Sequence, residues 1–206
     1  MSQIIACRTD SGIVLAADGK ALEIDPNNEI VEVETRRLLQ LTPHTVIATG
    51  GAAEGENMCR ALKDFLAGEN LHGIEEVYTA ALPFLATEYE KYMRKKCVFR
   101  PIAPIHQVFF MLGGYSPDNA RKPFQLYLLW TKMQLPLLDG DEISSAYAVP
   151  RLMRLEYKLH QLSGDNKPLE DILAEIRSNL DQQTQVNEDI SGPFAYCVIN
   201  RAGVSL

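Results

Sequence analysis

Four short stretches of period-2 apolar alternation, closed by turn residues, fill the first fifty positions before any helical periodicity begins. Residues 3–9 and 13–18 flank the turn Asp10-Ser11-Gly12, so the chain opens in a β-hairpin. After a polar excursion through Asp25-Pro26-Asn27-Asn28, residues 37–41 and 45–49 read as two further strands, parted by a turn at Pro43. Four strands ahead of the first helix argue against a doubly wound parallel sheet, in which strands and helices alternate from the start.

Gly50-Gly51 opens residues 52–67, where Met58, Leu62, Phe65 and Leu66 recur at helical spacing ahead of Gly68. Residues 74–96 carry Val77, Leu82, Leu85, Tyr89 and Tyr92 at similar spacing, with Pro83 predicted to kink the helix or split it in two. Strand character returns over 107–112, 124–131 and 133–138, with Gly113-Gly114 and Asp139-Gly140 as separators. Residues 150–162 and 169–180 read as two more helices, the second starting after Pro168 with acidic residues in its first turn, and 194–200 closes as a strand. By layer logic this order predicts an α+β fold, two antiparallel sheets held between helical layers.

Composition narrows the function. At 206 residues the default is a single domain over 1–206, and 46% hydrophobic with 23% charged residues is a globular balance. A formal charge of -7 with no basic run has the wrong sign for phosphates, so no nucleic-acid partner is expected. The longest near-apolar run, residues 80–86, is interrupted by Pro83 and falls far short of the ~20 residues that span a bilayer, so no membrane partner is expected either. The start Met1-Ser2-Gln3-Ile4-Ile5-Ala6-Cys7-Arg8 lacks the basic head and apolar core of a secretory signal, and the chain reads as cytoplasmic. Cys7, Cys59, Cys97 and Cys197 are widely spaced and read as reduced, mostly buried thiols. His44, His72, His106 and His160 are scattered, and Asp139-Gly140-Asp141 lacks the rest of a calcium loop, so no metal or cofactor is expected. Trp130 and the tyrosines read as core and interface residues rather than a nucleotide platform.

Three motifs in order carry a resemblance. Ser2 stands at the first strand, and Gly12-Ile13-Val14-Leu15-Ala16-Ala17-Asp18 ends 16 residues after it. Thr49-Gly50-Gly51-Ala52-Ala53-Glu54 opens the first helix, and Glu188-Asp189-Ile190-Ser191-Gly192 precedes the strand over 194–200. Together they resemble a β-type subunit of the proteasome family, within the N-terminal-nucleophile (Ntn) hydrolases. The resemblance spans nearly the whole chain, densest through the first helix and thinnest over residues 98–162. It implies the four-layer αββα sandwich of that superfamily, in agreement with the element order.

It also implies a site. Ser2, once Met1 is removed, would supply both the attacking hydroxyl and, as base, its own α-amine, whose pKa near 8 suits neutral pH. Asp18 occupies the position of the carboxylate that holds the family's catalytic lysine. Counting back from Pro43, that lysine's position reads as Arg37, with Arg36 as the alternative if the strand register shifts by one. Arginine stays protonated, so it can pair with Asp18 but not shuttle a proton as lysine does. Lys20 is a possible substitute charge, or an exposed turn lysine. Gly51, with Gly50, either offers a backbone oxyanion donor or serves a steric turn. The family's supporting serine reads as Met153, which has no hydroxyl, while Ser191 with Glu188 or Asp189 would complete the polar support of the amine.

Two functions follow from the resemblance. One is a proteasome-like hydrolase cleaving peptide or amide bonds through an acyl-enzyme on Ser2, assembled as a ring or related homo-oligomer. The other is a catalytically silent subunit acting in assembly or binding, which the substitutions at Arg37 and Met153 favour. A small-molecule amidase on the same scaffold would differ from the first only in pocket shape.

Overall fold

A computed structural model describes residues 3–27, 29–69, 71–96, 104–131, 138–186, 190 and 192–206. Strands β1 (Ile4–Arg8) and β2 (Ile13–Ala17) form the predicted antiparallel hairpin, with Ile4 opposite Ala17 and Arg8 opposite Ile13. Its turn is closed by Thr9, whose Oγ1 accepts the N–H groups of Ser11 and Gly12 at 3.1 Å each. All five residues of β2 are buried. A strand covered on both faces reads as a continuous apolar run rather than a clean alternation.

The excursion over residues 20–34 is not a loop. It is a second hairpin, β3 (Lys20–Ile24) and β4 (Ile30–Glu34), paired from Lys20–Glu34 to Ile24–Ile30. Asp25 shapes its turn by accepting the N–H of Asn27 at 2.9 Å and of Glu29 at 2.8 Å. β4 escapes the apolar alternation because its outer face is acidic: half-buried Val31 and Val33 alternate with exposed Glu32 and Glu34. Six strands, not four, therefore precede the first helix, the last two being β5 (Leu38–Thr42) and β6 (Thr45–Gly51).

Helices α1 (Glu54–Leu66) and α2 (Ile74–Lys95) follow. α2 runs unbroken through Pro83, against the expected split. Pro83 and Thr79, whose carbonyl loses its partner to the missing N–H, are both exposed, so water can serve that carbonyl. Next come β7 (Val108–Tyr115), β8 (Phe124–Thr131) and β9 (Leu138–Glu142). Gly113-Gly114 and Asp139-Gly140 lie inside β7 and β9 rather than between strands, because ladder pairing uses the backbone whatever the side chain: Gly113 pairs with Val46 and Leu126, Gly140 with Leu129. Of the strand expected over 133–138, residues 133–137 lie outside the described residues.

Strand β10 (Ala146–Val149) precedes the third helix, and α3 begins at Met153 rather than at residue 150 (Met153–Gly164). α4 (Leu169–Val186) continues beyond residue 180 into a polar stretch that carries no apolar period, and β11 (Ala195–Asn200) and β12 (Gly203–Ser205) end the chain. One five-stranded sheet has the order β10-β1-β2-β11-β12, the other β5-β6-β7-β8-β9, all neighbours antiparallel. Ile4, Ala6, Ile13 and Leu15 share one apolar cluster with Val46, Ala48, Met111 and Leu126 of the other sheet. Ile5, Cys7, Val14 and Ala16, pointing the other way, pack on Leu155, Leu159, Ile172 and Ile176 of α3 and α4. Ile47, Phe110 and Leu112 pack on Met58, Leu62, Val77 and Leu85 of α1 and α2. Cys7, Cys59 and Cys197 are buried free thiols, and Cys97 lies outside the described residues.

Candidate functional site

β2 ends by delivering Asp18 into the interior. Its backbone N–H donates to the Gln3 carbonyl at 3.0 Å, which ties it to the residue that follows Ser2. Ser2 itself lies outside the described residues, as do Glu188, Asp189 and Ser191. The described flank of that last group does come close: a Cβ on Gly19 would stand 2.7 Å from the Pro193 carbonyl, so the segment after Ser191 packs against the residue after Asp18.

Arg37, immediately before β5, meets Asp18. Its Nε stands 3.1 Å from Asp18 Oδ1, and both side chains are within 1% of complete burial. Nη1 donates to the Thr49 carbonyl at 3.1 Å and Nη2 to the Lys20 carbonyl, while the Thr49 N–H returns a bond to the Arg37 carbonyl at 2.9 Å. The neighbouring Arg36 is exposed, its N–H bonded to Glu56 Oε2 at 2.9 Å, so the inward residue is Arg37. Lys20 contributes its carbonyl here, and its ammonium pairs with Glu32 at 2.7 Å.

The Asp18–Arg37 contact is an ion pair without the alignment of a hydrogen bond. Both carboxylate oxygens and the arginine Nε lack a hydrogen-bond partner among the described residues. Burial pushes the Asp18 pKa up to about 6, against the pull of the Arg37 guanidinium and the bond to Gln3. Burial also lowers the Arg37 pKa, with Asp18 opposing.

At the end of β6, Gly51 has φ +86°, and a Cβ there would fall 2.1 Å from the Gln107 carbonyl. The Ala52 N–H donates to that same carbonyl at 2.9 Å. Close backbone approach thus requires glycine at this junction. Met153 begins α3 with its side chain 71% exposed, touched by Arg151 Nη2 at 3.7 Å from its sulfur.

Two residues that sequence reasoning missed stand out. Gln3 is 1% exposed, and its Nε2 donates to the Pro150 carbonyl at 3.1 Å. Ile4 pairs with Val149, and one residue further out the Gln3 side-chain amide donates to the Pro150 carbonyl, tying the start of β1 to the chain after β10. A polar residue heading an apolar strand was the available signal. Glu156, buried in α3, accepts the Leu152 N–H at 3.0 Å and pairs with Arg151 at 2.6 Å, fixing the turn into that helix. Among the described residues no three His, Cys, Asp or Glu side chains converge to hold a metal ion, and no helix is long and apolar enough to cross a membrane.

No family model matches the chain, and no curated protein matches it significantly. Solved structures do. A Gly-1 mutant of Anbu from Hyphomicrobium sp. strain MC1 aligns with a TM-score of 0.68 at 13% identity, over 100% of this chain and 86% of that one. Anbu (ancestral beta-subunit) from Yersinia bercovieri aligns with a TM-score of 0.63 at 14% identity, over 96% of this chain and 81% of that one. At such identity the likeness is one of architecture: the chain has the fold of the Anbu, or ancestral beta-subunit, proteins.

Proposed function

We propose that the chain is a proteasome-like Ntn hydrolase that cleaves peptide or amide bonds with Ser2 after removal of Met1. The observation that carries this reading is the buried Asp18–Arg37 pair, 3.1 Å apart and tied through the Asp18 N–H to Gln3, one residue from the nucleophile. The Ser2 Oγ attacks the carbonyl carbon while the α-amine takes its proton. The tetrahedral oxyanion is stabilised by backbone N–H at the Gly51 junction, and collapse expels the amine leaving group, which receives the proton from the α-ammonium. Water then releases the acyl group from Ser2. Asp18 and Arg37 shape the field at the amine, and Ser191 with Glu188 or Asp189 supports it by hydrogen bonding. In this reading residues 1–206 form one subunit-like domain, its sheets and helix pairs are the αββα sandwich of the Ntn hydrolases, and copies assemble into a homo-oligomer in the cytoplasm.

A second reading, a catalytically silent subunit, is favoured by Arg37 itself. Its guanidinium serves two backbone carbonyls as well as Asp18, and arginine does not release a proton near neutral pH. Intact mass of protein from its native host, before and after a peptide β-lactone, separates the two. Loss of Met1 and a single adduct absent from Ser2→Ala supports the hydrolase; retained Met1, or a free Ser2 that never labels, supports the silent subunit.

A further inference from the structure

Pro150, the acceptor of the Gln3 side-chain bond, also borders an apolar cleft. Its volume is about 330 Å³, and Phe109, Leu128, Trp130, Ile143, Tyr147 and Val149 line it. All but Leu128 are half-buried, so apolar side chains converge on water in a concave space rather than a flat patch. β9 and β10, which contribute to its walls, each form one edge of their sheets.

We propose that this cleft is a substrate subsite that takes one aromatic or branched aliphatic side chain of an extended peptide. The proposal rests on the hydrolase reading for its link to catalysis. Position supports it: Val149 pairs with Ile4, and the Pro150 carbonyl holds the Gln3 side chain, so the cleft wall is bonded to the residue after Ser2.

Chemistry supports it too. Of the two charged residues at the cleft, Arg151 has its charge paired with Glu156 at 2.6 Å and lays its guanidinium over the Tyr147 ring, 4.4 Å from the ring centre. That leaves Asp141, which is exposed at the rim, and an apolar interior. Size selects the occupant. Ligand pockets run from about 300 to 1,000 Å³, so this one holds a single side chain, whereas a stable protein interface needs about 800 Å² on each partner.

Trp130 is the only tryptophan of the chain and so reports on the cleft directly. The full chain is titrated with two N-acetyl tripeptide amides, Ala-Phe-Ala and Ala-Gly-Ala, while tryptophan emission is followed. Ala-Phe-Ala is expected to give a saturable change with a Kd at least about tenfold below that of Ala-Gly-Ala, the factor that burial of one large apolar side chain provides. Ile143→Asp abolishes the preference and Ile143→Met keeps it. Equal affinity for the two peptides, no saturable change, or an undiminished preference in folded Ile143→Asp overturns the proposal. The wild-type comparison decides even where Ile143→Asp does not fold. β-Lactone labelling of Ser2, scored separately, distinguishes the two layers. A phenylalanine preference without labelling upholds the apolar peptide site and removes the hydrolase; labelling without the preference removes the cleft's role and keeps the hydrolase.

Discussion

Asp18 and Arg37 face each other at 3.1 Å inside the protein, and neither carboxylate oxygen has a hydrogen-bond partner among the described residues. The arginine is better served, by the carbonyls of Thr49 and Lys20. Such a pair is costly to build, because both ions lose water, and costlier to break from one side. Arg37→Met should therefore destabilise the fold by about 3–5 kcal/mol, since it removes the cation paired with the carboxylate and a donor from each of two carbonyls. Asp18→Asn in the same chain should recover part of that loss. Urea unfolding of the two single variants and the double variant measures the coupling; purely additive effects would contradict it.

The acid behaviour of Asp18 is a second consequence. Its pKa is about 6 in the fold against an ordinary 3.8, so between those values the folded chain holds a proton that the unfolded chain has lost. The sign follows: this group's contribution to stability is complete below about pH 4 and is lost as pH rises through about 6. A ¹³C titration of the Asp18 carboxyl should show a midpoint near 6, and Asp18→Asn should flatten the pH dependence of unfolding free energy across that window. A midpoint below 4 would mean that Arg37 outweighs burial.

Gly51 tolerates no side chain. With φ at +86° and the Gln107 carbonyl 2.1 Å from where a Cβ would sit, Gly51→Ala should cost at least about 1–3 kcal/mol through backbone strain and displacement of β7. Thermal unfolding checks this, and an unchanged midpoint would show that the junction between β6 and α1 can rearrange freely.

Gln3→Met keeps the length of the side chain and removes its bond to Pro150. The expected loss is about 0.5–1.5 kcal/mol from the bond itself, with a further penalty where the Pro150 carbonyl stays dry. Because Gln3 also accepts the Asp18 N–H through its backbone, which the variant retains, the Asp18 titration should stay in place while stability falls. A shifted Asp18 midpoint would show instead that the side chain governs the site's geometry.

Much of the architecture was legible in the residues because burial on one or two faces writes a period into the chain. The hairpin over 3–18, the strand 124–131 and the four helices follow from that period, and so does the placing of Asp18 at a strand end. The period failed where the outer face of a strand is acidic, as in β4, where a helix continues on polar residues, as in α4, and where strand pairing carries glycines, as in β7 and β9. The resemblance of the motifs also put Asp18 and Arg37 forward as partners. What alternation could not choose was the neighbour: Arg36 and Arg37 differ by one residue, which inverts the face, and only the packing of β5 against β6 turned Arg37 inward to Asp18 and Thr49 and left Arg36 outside. The Gln3 bond to Pro150 and the cleft beside it were equally beyond the sequence. The bond joins residues 147 positions apart and the cleft gathers residues from Phe109 to Arg151, and such contacts exist only after the sheets have formed.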